Sequence, residues 1–284
     1  RKYGLIYSGI YNSNSGVNNL NQFIAAEKIT KDINPIYGSI QKLHSRNSDL
    51  VTLCEDKILK ILANKDALYN ADGDPQLTAT DRVLGQTIPF AGEYGISTNP
   101  ESFASESYRA YFTDKVRGTV MRLSKDGLTA ISDHGMKDWF RDNLKLYNKL
   151  IGSYDDRKGE YNITLKHLGL EVSSTFNGRP LNSIGDMVKA TPYTVSFQEN
   201  VKGWVSFKSF ILENGISCAS NYFTFNKGRL FRHHDESELV SRNTFYGVRK
   251  ESTVNFIFNQ ASGTIKSFEA INYEGSQAKV DQFK

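Results

Sequence analysis

One turn pattern recurs along this chain and constrains its fold more than any other feature. In each copy, alternating apolar and aromatic residues lead into an acidic or amide residue, a basic residue, a glycine and a second such stretch. The acidic or amide side chain can cap its own turn, and glycine can adopt the positive φ that a tight hairpin requires. The pattern predicts a mainly β protein, a meander of antiparallel hairpins. The residues expected to shape the turns are Asp114, Gly118, Asp156, Gly159, Gly203 and Gly228.

The spacing of these turns predicts a more specific arrangement. Gly118 and Gly159 lie 41 residues apart, and Gly159 and Gly203 lie 44 apart. A four-stranded propeller blade takes about 40–50 residues, so the spacing favours a β-propeller-like domain. The alternative is a set of generic hairpins in an irregular β-sandwich.

The composition agrees with strands and limits the partners. Aromatic residues make up 12% of the chain, with 15 Tyr and 17 Phe, and such side chains pack well on half-buried pleated surfaces. The formal net charge is +4, from 35 basic and 31 acidic residues. So small an excess does not by itself indicate nucleic-acid binding. If DNA passes nearby, the contact is expected to be transient and non-specific.

Two segments have helical rather than strand spacing. Apolar residues between Leu20 and Lys28 predict an amphipathic helix of about three turns, which Pro35 ends. A second helix is predicted at about 133–151, where Ser132 or Asp133 can cap it. Its stripe either packs on the adjoining sheet or contacts another copy of the chain. The candidate interface residues of this stripe are Met136, Phe140, Leu144 and Tyr147.

These patterns divide the chain into two parts. Residues 1–48 are expected to hold a strand and the first helical segment, and residues 49–284 the β domain with its inserted helix. The chain begins with Arg1 and has a strand pattern at once, with Tyr3, Leu5 and Tyr7 at alternate positions. We interpret it as an internal part of a longer protein; a processed mature chain would look the same.

The motifs of common enzyme classes are missing from the sequence. It has no glycine-rich phosphate loop, no Gly-x-Ser-x-Gly elbow and no His-Glu-x-x-His helix. It also has no run of eighteen apolar residues, so no membrane-spanning segment is expected. Cys54 and Cys218 lack metal-type spacing and are expected to be two reduced thiols. We therefore predict a protein that is not an enzyme, with no catalytic residues and no cofactor.

Two polar clusters are candidate sites, and the sequence favours turns at both. His233-His234, followed by Asp235 and Glu236, is the best metal candidate, but neighbours on a strand point to opposite faces. Asp155-Asp156 could resemble the paired carboxylates of a glycosidase, but those must converge on one bond from separate supports. We predict a solvated polar turn at the first cluster, turn-capping at the second, and no metal.

Several blocks of sequence, spread over nearly the whole chain, carry a resemblance to a known family. They include SGIYNS (8–13), NPIYGSIQKL (34–43), NPESFA (99–104), LSKDGLT (123–129), YDDRKGEY (154–161), GWVSFKSF (203–210), NTFYG (243–247) and NYEGS (272–276). Together they resemble the tail proteins of short-tailed bacteriophages, in particular those of crAss-like phages infecting Bacteroidales. The resemblance carries over no catalytic residue.

The resemblance implies a structural role in the virion. It implies a ring of copies of the chain, six in number, below the portal and adaptor rings of the tail. Double-stranded DNA and ejected cargo proteins would pass through this ring, and the protein would be made in the host cytoplasm. Other phage tail, adaptor and ring proteins would be its partners.

Two other functions are left open by the residues. A receptor-binding or glycan-cleaving tail protein is one, because Trp139, Trp204 and many Tyr could stack on sugars. A cellular propeller scaffold unrelated to phage is the other.

Overall fold

The structure is a computed structural model, and it describes residues 2–24, 28–69, 75–167, 175–176, 179–180, 191–237, 240–255 and 263–267. The chain divides into two compact units, Arg1–Lys250 and Glu251–Lys284. In the second unit, residues 251–255 and 263–267 are described, and they form turns and irregular chain. The sheets described below all belong to the first unit.

The N-terminal region is an irregular hairpin. Strand β1 (Gly4–Ile6) pairs antiparallel with β2 (Thr30–Asp32). Hydrogen bonds from Tyr7 N–H to the Ile29 carbonyl and from Gly9 N–H to the Gln22 carbonyl continue the pairing towards the tip. We call residues 4–32 the N-terminal hairpin.

The first predicted helix is wrong in its described part. Residues 20–24 are not helical, and residues 25–27 lie outside the described residues. The Asn18 side chain accepts from Leu20 N–H at 3.1 Å, and Asn19 N–H donates to the Ile10 carbonyl across the hairpin. Asparagine side chains that bond nearby backbone groups compete with a helix, and here they favour the hairpin. Pro35 instead begins a short 3-10 turn, Pro35–Tyr37, whose first turn Asn34 caps.

The first sheet is a four-stranded antiparallel meander. Its strands, in spatial as in chain order, are β3 (Ile40–Arg46), β4 (Asp49–Cys54), β5 (Ile58–Tyr69) and β6 (Pro75–Pro89). Residue 48, where the sequence suggested a domain boundary, lies in the turn between β3 and β4. Asn64, inside β5, has a φ of 54°, which marks an irregularity of the strand. Beyond β4, β5 and β6 pair only with each other, as a two-stranded ribbon.

Two further sheets are also four-stranded and antiparallel. The second contains β7 (Ala104–Ser105), β8 (Ala110–Asp114), β9 (Thr119–Ser124) and β10 (Gly127–Ala130), in the order β10-β9-β8-β7. The third contains β11 (Lys149–Asp155), β12 (Glu160–Lys166), β15 (Tyr193–Gln198) and β16 (Gly203–Lys208), in that order. Between β12 and β15, the short strands β13 (Thr175–Phe176) and β14 (Arg179–Pro180) pair with each other.

The last described elements are shorter. A three-stranded fourth sheet comprises β17 (Asn214–Cys218), β18 (Asn221–Asn226) and β19 (Arg229–Arg232). Strands β20 (Thr244–Phe245) and β21 (Val248–Arg249) form a final small hairpin.

The sheets stack in chain order, with the second sheet buried on both faces. All five residues of β8 are buried. Tyr111 packs in the cluster shared with the third sheet, and its neighbour Phe112 packs in the cluster shared with the first. A further cluster joins Ile151 of the third sheet to Tyr222 of the fourth. Successive side chains of a strand point to opposite faces of its sheet. The second sheet therefore packs on the third sheet with one face and on the first sheet with the other.

The prediction of a mainly β fold of antiparallel hairpins is confirmed. The described sheets do not close into a propeller or a barrel. The core clusters of the described residues join successive sheets, and none of them joins the fourth sheet to the first. The spacing of about 40 residues therefore reflects four-stranded sheets that stack without closing.

The described residues contain one α-helix rather than two. α1 (Lys137–Asn143) has seven residues, fewer than the predicted 133–151, because a 3-10 turn (Ile131–Asp133) precedes it and strand β11 begins at Lys149. Phe140, Leu144 and Tyr147 are fully buried between the second and third sheets, and Met136 is half-buried against them. This is the first of the two alternatives for the stripe, in which it packs on the chain's own sheets.

Candidate assembly surface

Asp114 caps the β8–β9 turn and also holds the chain that leads into the second sheet. Its buried carboxylate accepts from Arg117 N–H at 3.0 Å and from Arg117 Nη1 at 2.9 Å. The same carboxylate accepts from Gly95 N–H at 3.1 Å and from Ser97 Oγ at 3.2 Å. Gly118 closes the turn with a φ of 70°. One side chain therefore fixes a hairpin and the connection between two sheets.

At the β11–β12 turn, the capping residue is Asp155 rather than Asp156. The Asp155 carboxylate accepts from Arg157 N–H at 3.1 Å and from Lys158 N–H at 3.2 Å, and Gly159 closes the turn with a φ of 64°. Asp156 is exposed, and its N–H donates to Ser217 Oγ. The first residue of the turn is the last residue of the strand, so its side chain points inward while the next one faces water. The two carboxylates do not converge.

The other two predicted turn glycines differ from each other. Gly228 has a φ of 69° in the two-residue β18–β19 turn, with Lys227 at 50°. Gly203 is already the first residue of β16, and the positive φ of 50° falls on Lys202 instead. The turns that end at Gly118 and Gly159 have four residues, and so has the turn that ends at Lys202. In this third turn, Gly203 therefore lies one position after the residue that adopts the positive φ.

A cluster that sequence reasoning missed joins the second and third sheets. Glu199, in the β15–β16 turn, accepts from Tyr111 Oη at 2.8 Å and from Arg122 Nη1 at 2.8 Å, with Arg109 Nε at 3.8 Å. Burial, and then the hydrogen bond to this carboxylate, raise the pKa of Tyr111 far above its ordinary value. The phenol therefore stays a donor at every physiological pH. Tyr111 also stacks on Tyr161, with ring centroids 4.9 Å apart.

The two adjacent histidines have different partners. His233 Nε2 lies 2.6 Å from Thr224 Oγ1, whereas His234 Nε2 lies 2.6 Å from the Asp155 carboxylate. Burial lowers the pKa of His233 to about 4, and His234 lowers it further, against the opposing effect of Asp155. The residues that the structure describes include no group of three or more side chains able to hold a metal ion. His234 therefore joins this region to the third sheet through Asp155, whereas His233 bonds within the fourth sheet.

The two tryptophans pack against other aromatic side chains of the chain. Trp204 Nε1 donates to the Ile131 carbonyl at 3.0 Å, and its ring centroid lies 4.4 Å from that of Phe140. Trp139 meets Phe140, Tyr193 and Phe207 edge-on.

Cys54 is buried, which raises its pKa to about 11, and Cys218 is exposed; the two are not bonded to each other.

The largest concentration of exposed apolar side chains lies on the N-terminal hairpin. Seven large apolar residues there are each 42–68% exposed, and several line an open groove of about 600 Å³ beside Val83 of β6. Between Tyr3 and Ile24 the sequence has no Asp, Glu, Lys, Arg or His. We call these seven residues the N-terminal apolar surface. They are Ile6, Ile10, Tyr11, Val17, Leu20, Phe23 and Ile24.

This surface was hidden from sequence reasoning by its spacing, which imitates a helix. The signal that could have found it is the charge-free run, in a chain of which 23% is charged. A folded surface segment normally carries charges, and a large exposed apolar patch commonly marks an interaction site. None of the helices in the described part of the chain has the length and apolar character needed to cross a bilayer.

Comparison with known proteins identifies the region that follows the fourth sheet. Residues 240–284 match the family model described as the Crassvirus muzzle protein C-terminal domain. No curated protein matches the chain. The match supports a structural protein of a bacteriophage tail, located in the virion, as the class of this chain. Within that class it supports a muzzle component of a crAss-like phage, and it confirms the resemblance found in the sequence.

The described start of the matched region packs on the fourth sheet. Tyr246 Oη lies 2.8 Å from Thr224 Oγ1, and its ring meets Phe231 with centroids 4.7 Å apart. The Phe245 ring lies 5.4 Å from that of Phe210. Residues 240–250 are therefore continuous with the stack of sheets.

Proposed function

We propose that this chain is a ring subunit of the phage muzzle, with six copies surrounding the conduit for DNA and ejected cargo proteins. In this role the chain acts by assembly and carries out no reaction. The observation that carries the proposal is the match of residues 240–284 to the muzzle C-terminal domain. The fold and the charge of the chain also suit a conduit wall.

The stacked sheets favour a rigid subunit. Gly152 lies so close to the Ser102 carbonyl that a Cβ added to the glycine would be 1.9 Å from that oxygen. A Cβ added to Gly215 would be 2.8 Å from the Cβ of Ser153. Such close approaches, together with the Asp114 and Glu199 clusters, lock each sheet to the next. Closely packed interiors resist deformation, which suits a wall that holds its shape while cargo passes.

The charge distribution favours weak contact with DNA. A conduit wall that neutralised many phosphates would bind DNA strongly and slow its passage. Here the net charge is only +4, and three arginines are already held by carboxylates. They are Arg109, with Glu106, Arg117, with Asp114, and Arg122, with Glu199.

A receptor-binding or glycan-cleaving role has less support. Sugar-binding tryptophans need an accessible ring face, whereas Trp139 and Trp204 are partly buried and their rings contact Phe140 and other aromatic side chains of the same chain. The acidic pair Asp155-Asp156 serves a turn. We therefore keep the structural role as the proposed function.

The test is to locate the chain in the particle. Antibody fragments raised against the 284-residue chain should label the distal end of the tail of purified virions, and averaged images should show six-fold labelling. A fragment against the major capsid protein serves as the control. Absence of the chain from washed virions, or labelling of the capsid, would refute the proposal.

A further inference from the structure

We propose that the N-terminal apolar surface is a contact between copies of this chain. Its occupant would be the neighbouring subunit of the ring, so the inference rests on the proposed function and names the partner that it requires. Two observations on the hairpin carry it: the extent of the exposed apolar area and the lack of charged residues between positions 3 and 24.

The area is sufficient for a specific protein interface. Large side chains have about 150–250 Å² of surface, so seven that are about half exposed present on the order of 600 Å². A standard interface uses about 800 Å² per partner, of which about 57% is apolar. The surface therefore offers more apolar area than such an interface needs. The largest patch on a typical monomer is about 300–600 Å² and is often functional, so this surface lies at the upper end of that range.

The lack of charge selects the kind of partner. Nucleic acid is excluded because residues 3–24 offer no Lys or Arg to a phosphate. A strongly charged protein would have to desolvate its charges against a surface that cannot pair with them. Around a ring, the hairpins of neighbouring copies can lie side by side and meet through different sides. Each copy brings the same uncharged residues 3–24, so these segments can approach without like-charge repulsion or buried unpaired charge.

The asparagine side chains of the hairpin accept hydrogen bonds from its own backbone. The Asn12 side chain accepts from Asn14 N–H and Ser15 N–H, and Asn18 accepts from Leu20 N–H. These bonds hold the tip in shape without the partner. The surface is thus ordered in the free subunit, which lowers the entropic cost of association.

The first test measures association in solution. We expect the purified chain to self-associate in sedimentation velocity, and the double variant Leu20→Asp/Phe23→Asp to raise the dissociation constant at least tenfold. Val201→Asp, which places the same charge at an exposed valine in the β15–β16 turn, should leave the constant unchanged. A wild-type chain that stays monomeric, or equal weakening by both changes, would overturn the proposal.

The second test does not depend on the folding of the aspartate variants. Tyr11, which is 55% exposed, is replaced by a photo-crosslinking phenylalanine analogue, with the same replacement at Val201 as the control. Irradiation should produce dimers of the chain from position 11 and none from position 201. No dimer from position 11 would overturn the inference.

The two proposals fail in different experiments. A chain that labels the tail but does not associate through the hairpin refutes only the inference. A chain that associates in solution but is missing from the virion refutes only the proposed function.

Discussion

The carboxylate of Glu199 accepts a hydrogen bond from the phenol of Tyr111 at 2.8 Å, across 88 positions of sequence. The same carboxylate pairs with Arg122, so a turn of the third sheet is fastened to two strands of the second. Glu199 and Arg122 are both largely shielded from water, so removing the negative charge of Glu199 would leave a buried, unpaired guanidinium, which is costly.

We expect Glu199→Gln to lower the free energy of unfolding by about 2 kcal/mol, because the amide leaves the Arg122 guanidinium without its anion. Urea denaturation followed by tryptophan fluorescence measures the change. The matched control is Glu93→Gln, since Glu93 pairs with Lys57 but is 80% exposed, and exposed pairs contribute about 0–1 kcal/mol. Equal effects of the two changes would contradict the prediction.

Asp155→Ala should destabilise the chain by about 2–3 kcal/mol, because it removes the cap of the β11–β12 turn and the partner of His234. Asp156→Ala, one residue along, should cost less than about 0.5 kcal/mol, because that side chain is exposed. Chemical denaturation of both variants tests the assignment. A larger loss from Asp156→Ala would show that the cap has been assigned to the wrong carboxylate.

Two glycines with nearly the same φ separate backbone strain from close packing. Gly159→Ala should cost about 1 kcal/mol, since only the positive φ of 64° is unfavourable and no atom closer than 4.0 Å meets the new methyl group. Gly118→Ala, with a φ of 70°, should cost at least about 1 kcal/mol more, because its Cβ would stand 2.7 Å from Arg141 Cα. Thermal unfolding of the two variants gives the comparison, and equal losses would count against the packing argument.

Stability should fall on acidification through His233. Its pKa is lowered to about 4 in the folded chain by burial, from 6.5, so the unfolded chain binds the proton first as the pH falls. The contribution of neutral His233 is fully present above pH 6.5 and is lost between pH 6.5 and 4, by up to about 3 kcal/mol.

The variant His233→Gln isolates this effect. It keeps a polar group near Thr224 but cannot titrate, so its unfolding free energy should depend less on pH across this window than that of the wild-type chain. Denaturation at a series of pH values measures both. His234 and Asp155 face the same site and are unchanged in the variant. An unaltered pH dependence would show that His233 is not the titrating group.

The local turn chemistry was predictable from the sequence, and the long-range contacts were not. The positions of Gly118, Gly159 and Gly228 follow from the need for positive φ, which acts within a few residues. The contact between Glu199 and Tyr111 depends on how two sheets stack, and no local pattern encodes it. For the same reason, the period of the turns correctly predicted four-stranded sheets, but the propeller-like closure that it favoured is wrong.

Errors in the helices have a similar origin. The apolar positions between Leu20 and Phe23 fit a helix and also fit one side of a hairpin, and the Asn18 side chain decides between them. The stripe from Met136 to Tyr147 was recognised, but its strand neighbour begins at Lys149, so the helix ends early. The residues of the N-terminal apolar surface face outward, which a helical reading of their spacing does not predict and which only the charge-free run could have indicated.

The order of the sheets along the chain has a consequence for biosynthesis. Each sheet is a hairpin meander that packs on the sheet made just before it, so a nascent polypeptide finds its next partner as soon as the following hairpin leaves the ribosome. Chains dominated by such near-neighbour pairing pay little loop-closure entropy at each step. The stack can therefore mature from the N-terminal side onward, with each finished layer serving as the template for the next.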